Sequence, residues 1–591
     1  MPRAFLLAGK VISFSQLSAA GLALLLVAAA CASEPSSRDG DPAHGAGSGG
    51  LGAGSAGENA AGNHGGNSVG GGAGSVTAGG GQSSVGGSGG SAATTGGGAG
   101  SNTAGLPGGG SGGSTAGSAG ATAGGQAGVT GGGGGSSGSA GSATAGAAGS
   151  SGAAGLPAFV TSGPNDYWNT EGALTVMASG TADLTVDANT RYQQFTGFGG
   201  TFNEMGWDAL SVLGAEEVTR ALKLLFDAHE GANFVYGRLP LGASDYAMSW
   251  YTLAETAGDY EMNDFSIARD REKLIPYVKA ALAIKPDIRL WASPWVVPSW
   301  MMSGSSMKSD AQTLGAHALY MARFVEEYEK EGLVIEAIHP QNEPGYARVR
   351  WTQALFIDFI KTYLGPTFAA RNLTAEIWCG TMSKDPDDTN IAKALANDAA
   401  AMAYTKGFGV QWNLQAAVAT LAEKAPVMQT EHKCGNYNFQ TPYWDQSRYD
   451  PDQPQNDHLY GEESWQLIRD WIVAGVNSYS AWNMVLDTTG KSLDNWPQNA
   501  LLTVDRAAKQ LIVTPAYYAF RHFSGFVAPG ATRVQVSGST DAIAFQNVDG
   551  SIVTEIYNKS ESPKTTTLGV GGALYRFDVP AHGWATLHTT P

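Results

Sequence analysis

The sequence predicts an α/β fold: a (β/α)8 (TIM) barrel with a C-terminal antiparallel β-sandwich domain that also takes strands from before the barrel, preceded by a disordered N-terminal linker. Three observations lead to this prediction. Short apolar segments alternate with amphipathic helical segments eight times over about 300 residues. After residue 506 the pattern changes to short strands separated by turn residues. Finally, 47 of the 82 glycines lie between positions 41 and 160.

Residues 1–31 have the features of a secretory signal. Arg3 and Lys10 supply positive charge, and the apolar run Ala19–Ala30 ends in small residues before Cys31. This run is shorter than the roughly 20 residues that a membrane-spanning helix needs. The segment resembles a bacterial lipoprotein signal peptide, in which Cys31 would be acylated. We therefore expect an extracellular or cell-surface protein that is anchored to the bacterial outer membrane through this lipid alone; the alternative is ordinary signal cleavage with loss of Cys31.

Residues 32–157 are predicted to form a disordered Gly/Ser/Ala-rich linker. Between positions 41 and 160 the only charged side chains are Asp41 and Glu58, and large apolar side chains are scarce. Such a segment cannot bury enough apolar surface to offset the entropy of ordering it. A flexible chain of this length has a root-mean-square reach of roughly 60 Å. The linker would hold the folded part of the chain away from a membrane.

The predicted folded part comprises residues 158–190 (N-terminal strands of the sandwich), 191–505 (barrel) and 506–591 (C-terminal sandwich). Helical spacing is clear at Leu314, Met321 and Val325 and again at Leu467 and Trp471. The eight predicted barrel strands are Phe195–Gly199, Asn233–Leu239, Ile288–Ala292, Val334–His339, Glu376–Thr381, Phe408–Trp412, Val427–Thr430 and Asn477–Trp482.

The sandwich is predicted from strands at short, regular spacing. Its turns include Asp549-Gly550. The predicted strands are Leu174–Met177 and Ala182–Val186 before the barrel, and Arg533–Val536, Ala542–Gln546, Ile552–Tyr557, Thr565–Leu568, Tyr575–Val579 and Trp584–His588 after it.

Charge and cysteine content limit the classes of partner. The net charge of −17 argues against nucleic acid or an anionic membrane surface as the main partner, because like charges repel at long range. Cys379 and Cys434 fall two predicted strands apart, which favours two buried free thiols over a disulfide. The sequence has no His/Cys/Asp cluster at metal-ligand spacing and no phosphate-binding glycine loop, so we predict neither a metal nor a cofactor.

Two glutamates follow predicted barrel strands at matched positions. Glu343 comes after the fourth strand and Glu431 after the seventh. Their separation along the chain corresponds to three βα units of roughly 30 residues each. Because the chemistry of such barrels is found at the C-terminal ends of the strands, both carboxyl groups are predicted to lie at the mouth of the barrel.

With these glutamates the sequence resembles glycoside hydrolase family 30, which contains glucosylceramidases, β-1,6-glucanases and certain xylanases. The resemblance spans roughly residues 165–591. The matching motifs are FTGFGG (195–200), RLPLGASDY (238–246), SPWVVPSWM (293–301), QNEP (341–344), QTE (429–431), WNMVLD (482–487), NWPQN (495–499), YY (517–518) and HFS (522–524).

The resemblance implies a retaining mechanism, which needs two carboxyl groups about 5–5.5 Å apart. Glu431 would be the nucleophile, and Glu343 the general acid and then base. We expect the pKa of Glu343 to be raised by the negative charge of Glu431 and by partial burial. Asn342 would hydrogen-bond the sugar 2-hydroxyl. Arg238 could hold Glu431 charged and oriented, or it could form a purely structural ion pair.

Sugar binding requires flat apolar faces beside polar groups. Trp295 and Trp482 are candidates for stacking on a sugar ring, with core packing as the alternative, and Trp300 is a third. Asp245 could bind two hydroxyls. Asn499 is a weaker candidate for sugar binding. Two further tryptophans, Trp291 and Trp378, lie within strands and are predicted to be core.

One position departs from the family pattern. Gln411 stands where many relatives have a histidine, and its amide could hydrogen-bond a hydroxyl or the surroundings of the nucleophile but could not titrate. The segment from Lys433 to Glu462 is predicted to be a long loop that builds acceptor-side subsites.

The expected function is hydrolysis of β-glucosidic bonds in a β-linked oligo- or polysaccharide or a glucosyl lipid, by a secreted monomer of the glucosylceramidase or β-1,6-glucanase type. Three alternatives remain open at this point. They are a xylanase of the same family, a catalytically inactive surface carbohydrate-binding protein, and an adhesin in which the long linker is a stalk.

Overall fold

The computed structural model describes residues 156–434 and 456–590. The predicted signal peptide with Cys31, and the predicted linker up to residue 155, lie outside the described residues. The aromatic residues between positions 435 and 455, in the predicted acceptor-side loop, also lie outside them.

Strands and α-helices alternate in the middle of the described chain, whereas its two ends are runs of consecutive strands. The strands are β1 (Phe159–Gly163), β2 (Asp166–Asn169), β3 (Thr175–Met177), β4 (Leu184–Phe195), β5 (Gly197–Thr201), β6 (Tyr236–Pro240), β7 (Arg289–Ser293), β8 (Met302–Ser303), β9 (Ser306–Met307), β10 (Ile335–Ile338), β11 (Glu376–Met382), β12 (Thr405–Val410), β13 (Val427–Gln429), β14 (Ser478–Asp487), β15 (Ala500–Asp505), β16 (Gln510–Val513), β17 (Ala531–Ser537), β18 (Ala542–Gln546), β19 (Ile552–Asn558), β20 (Lys564–Val570), β21 (Ala573–Val579) and β22 (Gly583–Thr589). The α-helices are α1 (Glu204–Leu210), α2 (Ala215–Phe226), α3 (Leu274–Ile284), α4 (Ala311–Lys330), α5 (Gln353–Asp358), α6 (Gly365–Ala370), α7 (Asp387–Ala396), α8 (Ala399–Met402), α9 (Val418–Ala422), α10 (His458–Ala474) and α11 (Pro515–Ser524).

Eight parallel strands form a closed barrel, which confirms the predicted fold class. In order around the barrel they are β5, β6, β7, β10, β11, β12, β13 and β14, and pairing of β14 with β5 closes it. Each of the eight predicted segments overlaps one of these strands. A glycine is required where β5 approaches β6, because a Cβ on Gly199 would lie 2.3 Å from the carbonyl oxygen of Tyr236.

Helices with one buried face surround the barrel. In α4 the side chain of Asp310 accepts a hydrogen bond from the Thr313 N–H and caps the helix, and Leu314, Met321 and Val325 are buried at helical spacing. The predicted loop of residues 433–462 ends earlier than expected. Helix α10 already begins at His458, because the Asp457 side chain accepts a hydrogen bond from the Tyr460 N–H and caps it.

The second ten-stranded sheet confirms the predicted sandwich with contributions from before the barrel. Its sheet order is β2-β1-β22-β19-β18-β17-β4-β20-β21-β3, so the strands preceding the barrel pair with those following it. β4 is antiparallel to β17 and parallel to β20. Two differences from the prediction appear. The hairpin β1–β2 joins this sheet, and the segment after residue 506 also contains α11, whose first turn carries Pro515 and is capped by the Thr514 side chain.

Cys379 and Cys434 are both free and buried, as predicted. Within the described residues, no helix combines the length and apolar character needed to cross a membrane.

Candidate active site

A pocket of about 820 Å³ lies at the C-terminal ends of the barrel strands, a size typical of small-molecule sites. It brings together five of the residues predicted from the sequence. The residues lining it are Asp245, Trp295, Ser305, Asn342, Glu343, Tyr346, Ala347, Arg348, Arg350, Ser383, Lys384, Trp412, Asn413, Glu431, Ser492, Asp494, Trp496 and Gln498.

Glu431 follows β13 and is 5% exposed. Its Oε1 accepts a hydrogen bond from the Trp412 indole at 2.8 Å. Its Oε2 accepts one from the Arg238 guanidinium at 2.7 Å and one from the Gln411 amide at 3.3 Å. These three donors fix the orientation of the carboxylate and complement its negative charge. The carboxylate therefore faces the pocket in one defined position.

Arg238 is fully buried near the end of β6 and acts through its neighbours. Its Nη2 nitrogen donates one hydrogen bond to the Ser293 hydroxyl at 3.0 Å and another to Asn342 Oδ1 at 2.7 Å. The guanidinium carbon lies 4.1 Å from the centroid of the Trp295 ring, a cation–π geometry. A planar guanidinium presents its donors in a rigid fork and so fixes the geometry of two partners, whereas the ammonium of a lysine is a single point charge on a flexible stem. Arg238 thus links Glu431 to the residue beside the second glutamate.

Glu343 has an unusual backbone conformation, with φ of +50°. Its N–H donates to the carbonyl oxygen of Thr381 at 2.9 Å, which helps to hold the chain in this left-handed region. Such a conformation costs a non-glycine residue about 1–3 kcal/mol and is often found at functional sites. The side chain stays partly exposed to the pocket although protein surrounds it. Burial, and secondarily the charge of Glu431, raise the pKa of Glu343 to about 8.

Gln411 is fully buried after β12 and bridges the two carboxyl groups. Its Nε2 lies 3.3 Å from Glu343 Oε1 and 3.3 Å from Glu431 Oε2. The Thr430 hydroxyl lies 2.8 Å from Gln411 Oε1, which directs the amide nitrogen toward the carboxyl groups. The two glutamate oxygens can therefore be no farther apart than twice 3.3 Å. This limit on one pair of oxygens is compatible with the roughly 5–5.5 Å between the carboxyl groups of retaining glycosidases.

Two polar side chains of the pocket wall have hydrogen-bonding atoms that a ligand could use. Asn342 Oδ1 accepts hydrogen bonds from Arg238 and from the Thr381 hydroxyl, both at 2.7 Å, so its amide nitrogen can donate to a hydroxyl in the pocket. Asp245 Oδ1 is buried without a hydrogen-bond partner among the described residues. Burial, followed by the charge of Glu431, raises the pKa of Asp245 to about 7. A sugar hydroxyl would supply the partner that this carboxyl group lacks.

The predicted tryptophans take different positions. Trp295 lines the pocket, and its ring stacks on that of Trp482 with centroids 5.2 Å apart. Trp482 is 3% exposed and donates its indole N–H to Gln498 Oε1 at 2.8 Å. Trp482 therefore supports Trp295 from behind. Asn499 is also buried and does not line the pocket, and Trp300 donates to the carbonyl oxygen of Ala254 at 2.9 Å.

Sequence reasoning missed several residues of the pocket. Trp412 has φ of +52°, and this conformation accompanies its contact with Glu431. The rim carries charges that pair or stack: Arg348 forms an ion pair with Asp494, and Lys384 lies over the Tyr346 ring at 4.4 Å. A bulky residue with positive φ leaves no signal in a single sequence. Within residues 156–434 and 456–590, no group of three or more His, Cys, Asp or Glu residues is placed to hold a metal ion.

Known proteins are similar to this chain in sequence, and a solved structure is similar to it in fold. It is 28% identical over 451 residues to Putative glucosylceramidase 1 of Caenorhabditis elegans, covering 69% of this chain and 83% of that protein. It is 24% identical over 446 residues to Endo-1,6-beta-D-glucanase BGN16.3 of Trichoderma harzianum, covering 69% and 87%. The solved structure of an endo-β1,6-glucanase superposes with a TM-score of 0.64 at 22% identity, over 73% of this chain and 99% of that one.

Two domain families account for most of the described chain. Residues 195–527 match the glycosyl hydrolase family 30 TIM-barrel domain, and residues 530–587 match the glycosyl hydrolase family 30 beta sandwich domain. These matches cover the barrel, the pocket and most of the sandwich. The chain belongs to glycosyl hydrolase family 30 and is a glycoside hydrolase.

Proposed function

We propose that this protein is a retaining β-glucosidase or β-glucanase that works by double displacement. Glu431 attacks the anomeric carbon while Glu343 gives its proton to the leaving oxygen, so that a glycosyl ester forms on Glu431 and the aglycone departs. Glu343, now a carboxylate, takes a proton from water, which attacks the anomeric carbon and releases Glu431. The net configuration at that carbon is retained.

The observation that carries this proposal is the position of the Gln411 amide, 3.3 Å from an oxygen of each glutamate. The two groups are close enough for direct attack by one of them and are held in different environments. Glu431 receives the buried Arg238 guanidinium, which favours a charged nucleophile. Glu343 has a raised pKa of about 8 and is therefore protonated at neutral pH, as a general acid must be.

The substrate part of the proposal rests on the relatives and on the pocket wall. The relatives described above are named as a glucosylceramidase and as an endo-1,6-β-glucanase, which supports a β-linked glucosyl substrate. Trp295 offers an apolar face, Asp245 an acceptor and Asn342 a donor inside the pocket. Product profiles on a panel of β-1,6-glucan, xylan and glucosyl lipid would test this choice. Release of xylose oligomers in preference to glucose products would replace it with the xylanase alternative.

Azide rescue tests the two catalytic roles separately. In Glu431→Gly, azide should occupy the space of the missing carboxylate, restore turnover of an activated aryl β-glucoside, and give the α-glycosyl azide. In Glu343→Gly, azide should attack the glycosyl ester and give the β-glycosyl azide. The exposed Glu423, eight residues before Glu431, supplies the control Glu423→Gln, which should keep full activity without azide. Swapped azide configurations would reverse the assignment, and full activity of either glycine variant without azide would refute it.

We also propose that the protein is exported and held at the outer membrane by a lipid on Cys31. The support is the basic, apolar and small-residue order of residues 1–31. Metabolic labelling with a fatty acid in a bacterial host tests it. The wild-type chain should carry the label and Cys31→Ser should not. An unlabelled, soluble wild-type chain would contradict lipidation and favour ordinary cleavage.

A further inference from the structure

A second cavity, of about 230 Å³, lies at the end of the barrel opposite the active site. Its mouth is formed by first residues of barrel strands, among them Tyr236 of β6, Arg289 of β7, Glu376 of β11 and Ser478 of β14. Most of its walls are apolar or aromatic. The wall includes Trp291, Ala337, His339 and Trp378.

Two buried polar atoms belong to side chains that line this cavity and have no hydrogen-bond partner among the described residues. They are Nε1 of Trp291, which is 2% exposed, and Nε2 of His339, which is fully buried. Their rings lie 4.5 Å apart between centroids. Leaving a buried donor or acceptor unpaired costs about 1–3 kcal/mol, so each such atom calls for an explanation.

The chemistry of these two atoms is complementary. His339 Nδ1 lies 2.7 Å from the carbonyl oxygen of Gly380, so Nδ1 carries the hydrogen and Nε2 is an acceptor. Burial lowers the pKa of His339 to about 3, which keeps the ring neutral. Trp291 Nε1 is a donor. A hydroxyl group placed between the two atoms would accept from the indole and donate to the imidazole.

The charges at the mouth do not favour an ionic ligand. Arg289 donates to Glu336 at 2.6 Å and to the Tyr236 hydroxyl at 2.8 Å. The carboxylate of Glu376 accepts a hydrogen bond from the Trp378 indole at 3.1 Å. Because these groups already satisfy one another, the cavity is better suited to an uncharged molecule.

We propose that this cavity is a binding site for a small uncharged aromatic hydroxy compound, of which phenol is the simplest. An apolar cavity of about 150 Å³ is large enough to bind benzene, so a single ring fits here. The ring would lie against the indoles of Trp291 and Trp378, with its hydroxyl between Trp291 and His339. The site is distinct from the sugar pocket, because Trp291 separates it from Arg238, whose guanidinium carbon lies 5.1 Å from the Trp291 ring centroid.

Calorimetric titration of the full chain with phenol, and separately with toluene, tests the ligand class without altering the protein. Phenol should bind saturably with a Kd of about 1 mM, as expected for a ligand of this size. Toluene has nearly the same shape but no hydroxyl, and it should bind at least about threefold more weakly. Absence of saturable phenol binding, or tighter binding of toluene, would overturn the proposal.

Variants and competition then locate the site. Ala337→Leu should fill the cavity and raise the Kd of phenol at least about tenfold. The matched control Ala369→Leu, at an exposed position on α6, should leave it unchanged, and thermal unfolding verifies that both variants fold. Trp291→Phe keeps a ring, loses the N–H donor, and should narrow the difference between phenol and toluene. A saturating β-linked glucose disaccharide should not displace phenol. Displacement by the sugar, or undiminished binding to folded Ala337→Leu, would place phenol elsewhere and contradict the assignment.

Discussion

Replacing Gln411 by leucine should change the pH dependence of the enzyme in a defined direction. Gln411 donates one long hydrogen bond, 3.3 Å, to Glu343. A donor to a carboxylate stabilises its charged form, so this contact lowers the pKa of Glu343 and works against the burial that raises it to about 8. Leucine keeps most of the volume and removes the donor. The pKa of Glu343 should therefore rise further.

The size of this change follows from the geometry. A hydrogen bond to a charged group contributes about 1.5–3 kcal/mol when it is short and unshared. The Gln411 amide is shared between two carboxyl groups at a long distance, so we take about 1 kcal/mol, which corresponds to about 0.7 pKa unit. Because Glu343 must be protonated to act as the general acid, kcat/KM should fall as the pH rises through its pKa. This alkaline limb should lie near pH 8 in the wild type and about 0.7 unit higher in Gln411→Leu.

The assay is the pH profile of kcat/KM on an aryl β-glucoside with a poor leaving group, which needs acid assistance. Asn413→Leu is a matched control, because Asn413 is an exposed residue of the same pocket wall. Asn413→Leu should leave the alkaline limb in place, whatever it does to the rate. If the alkaline limb of the kcat/KM profile of Gln411→Leu lies at the wild-type pH or at a lower pH, the assigned effect of Gln411 on the pKa of Glu343 is wrong, even if the rate falls.

Three further predictions concern the nucleophile and the stability of the fold. Arg238→Lys should lower kcat/KM about 100-fold, because a lysine can keep the charge beside Glu431 but loses the rigid fork that also holds Asn342, worth about 3 kcal/mol. A loss below tenfold would contradict this prediction. Burial raises the pKa of Glu555 well above its usual range in the folded state. The protonated side chain therefore contributes fully to the free energy of unfolding below about pH 4.3, the pKa of an unfolded glutamate. This contribution is lost as the pH rises through the raised pKa of the folded state. Glu555→Gln should remove this dependence, and parallel melting curves for the two proteins from pH 4 to 9 would count against it. Cys379 and Cys434 should react with a thiol reagent only after unfolding, because both are buried and burial raises the pKa of both thiols. Labelling of either cysteine in the native chain, mapped by mass spectrometry, would contradict this prediction.

The barrel could be predicted from sequence because its strands are short, apolar and separated by helical spacing, as in α4. The hairpin β1–β2 could not, because Phe159–Gly163 follows a long glycine-rich segment and pairs mainly with β22, at the other end of the folded chain. Helix α11 does have a signal in the sequence, because Thr514 before Pro515 is a typical helix start.

Some residues of the active site can also be predicted from the sequence, and others cannot. Glu343 and Glu431 are predictable because strand ends of a barrel converge on one mouth, whatever the sequence between them. The position of Trp412 in the site is not predictable, because its contact with Glu431 accompanies a positive φ that no sequence pattern indicates. Trp482 looked like a stacking platform, but the register of β14 places it behind Trp295. The loop residues Arg348 and Asp494 lie far apart in sequence and meet only because two barrel loops fold over the same rim.

The most direct test of the central claim is to trap the glycosyl-enzyme. An activated 2-deoxy-2-fluoro glycoside of the sugar that the enzyme releases should inactivate it stoichiometrically, because the fluorine slows both formation and hydrolysis of the ester while the activated leaving group restores the rate of formation alone. Peptide mapping by mass spectrometry should then find the sugar on Glu431. Inactivation with the sugar on another residue, or normal turnover of natural substrate with no covalent adduct under any trapping condition, would contradict a double displacement at this glutamate.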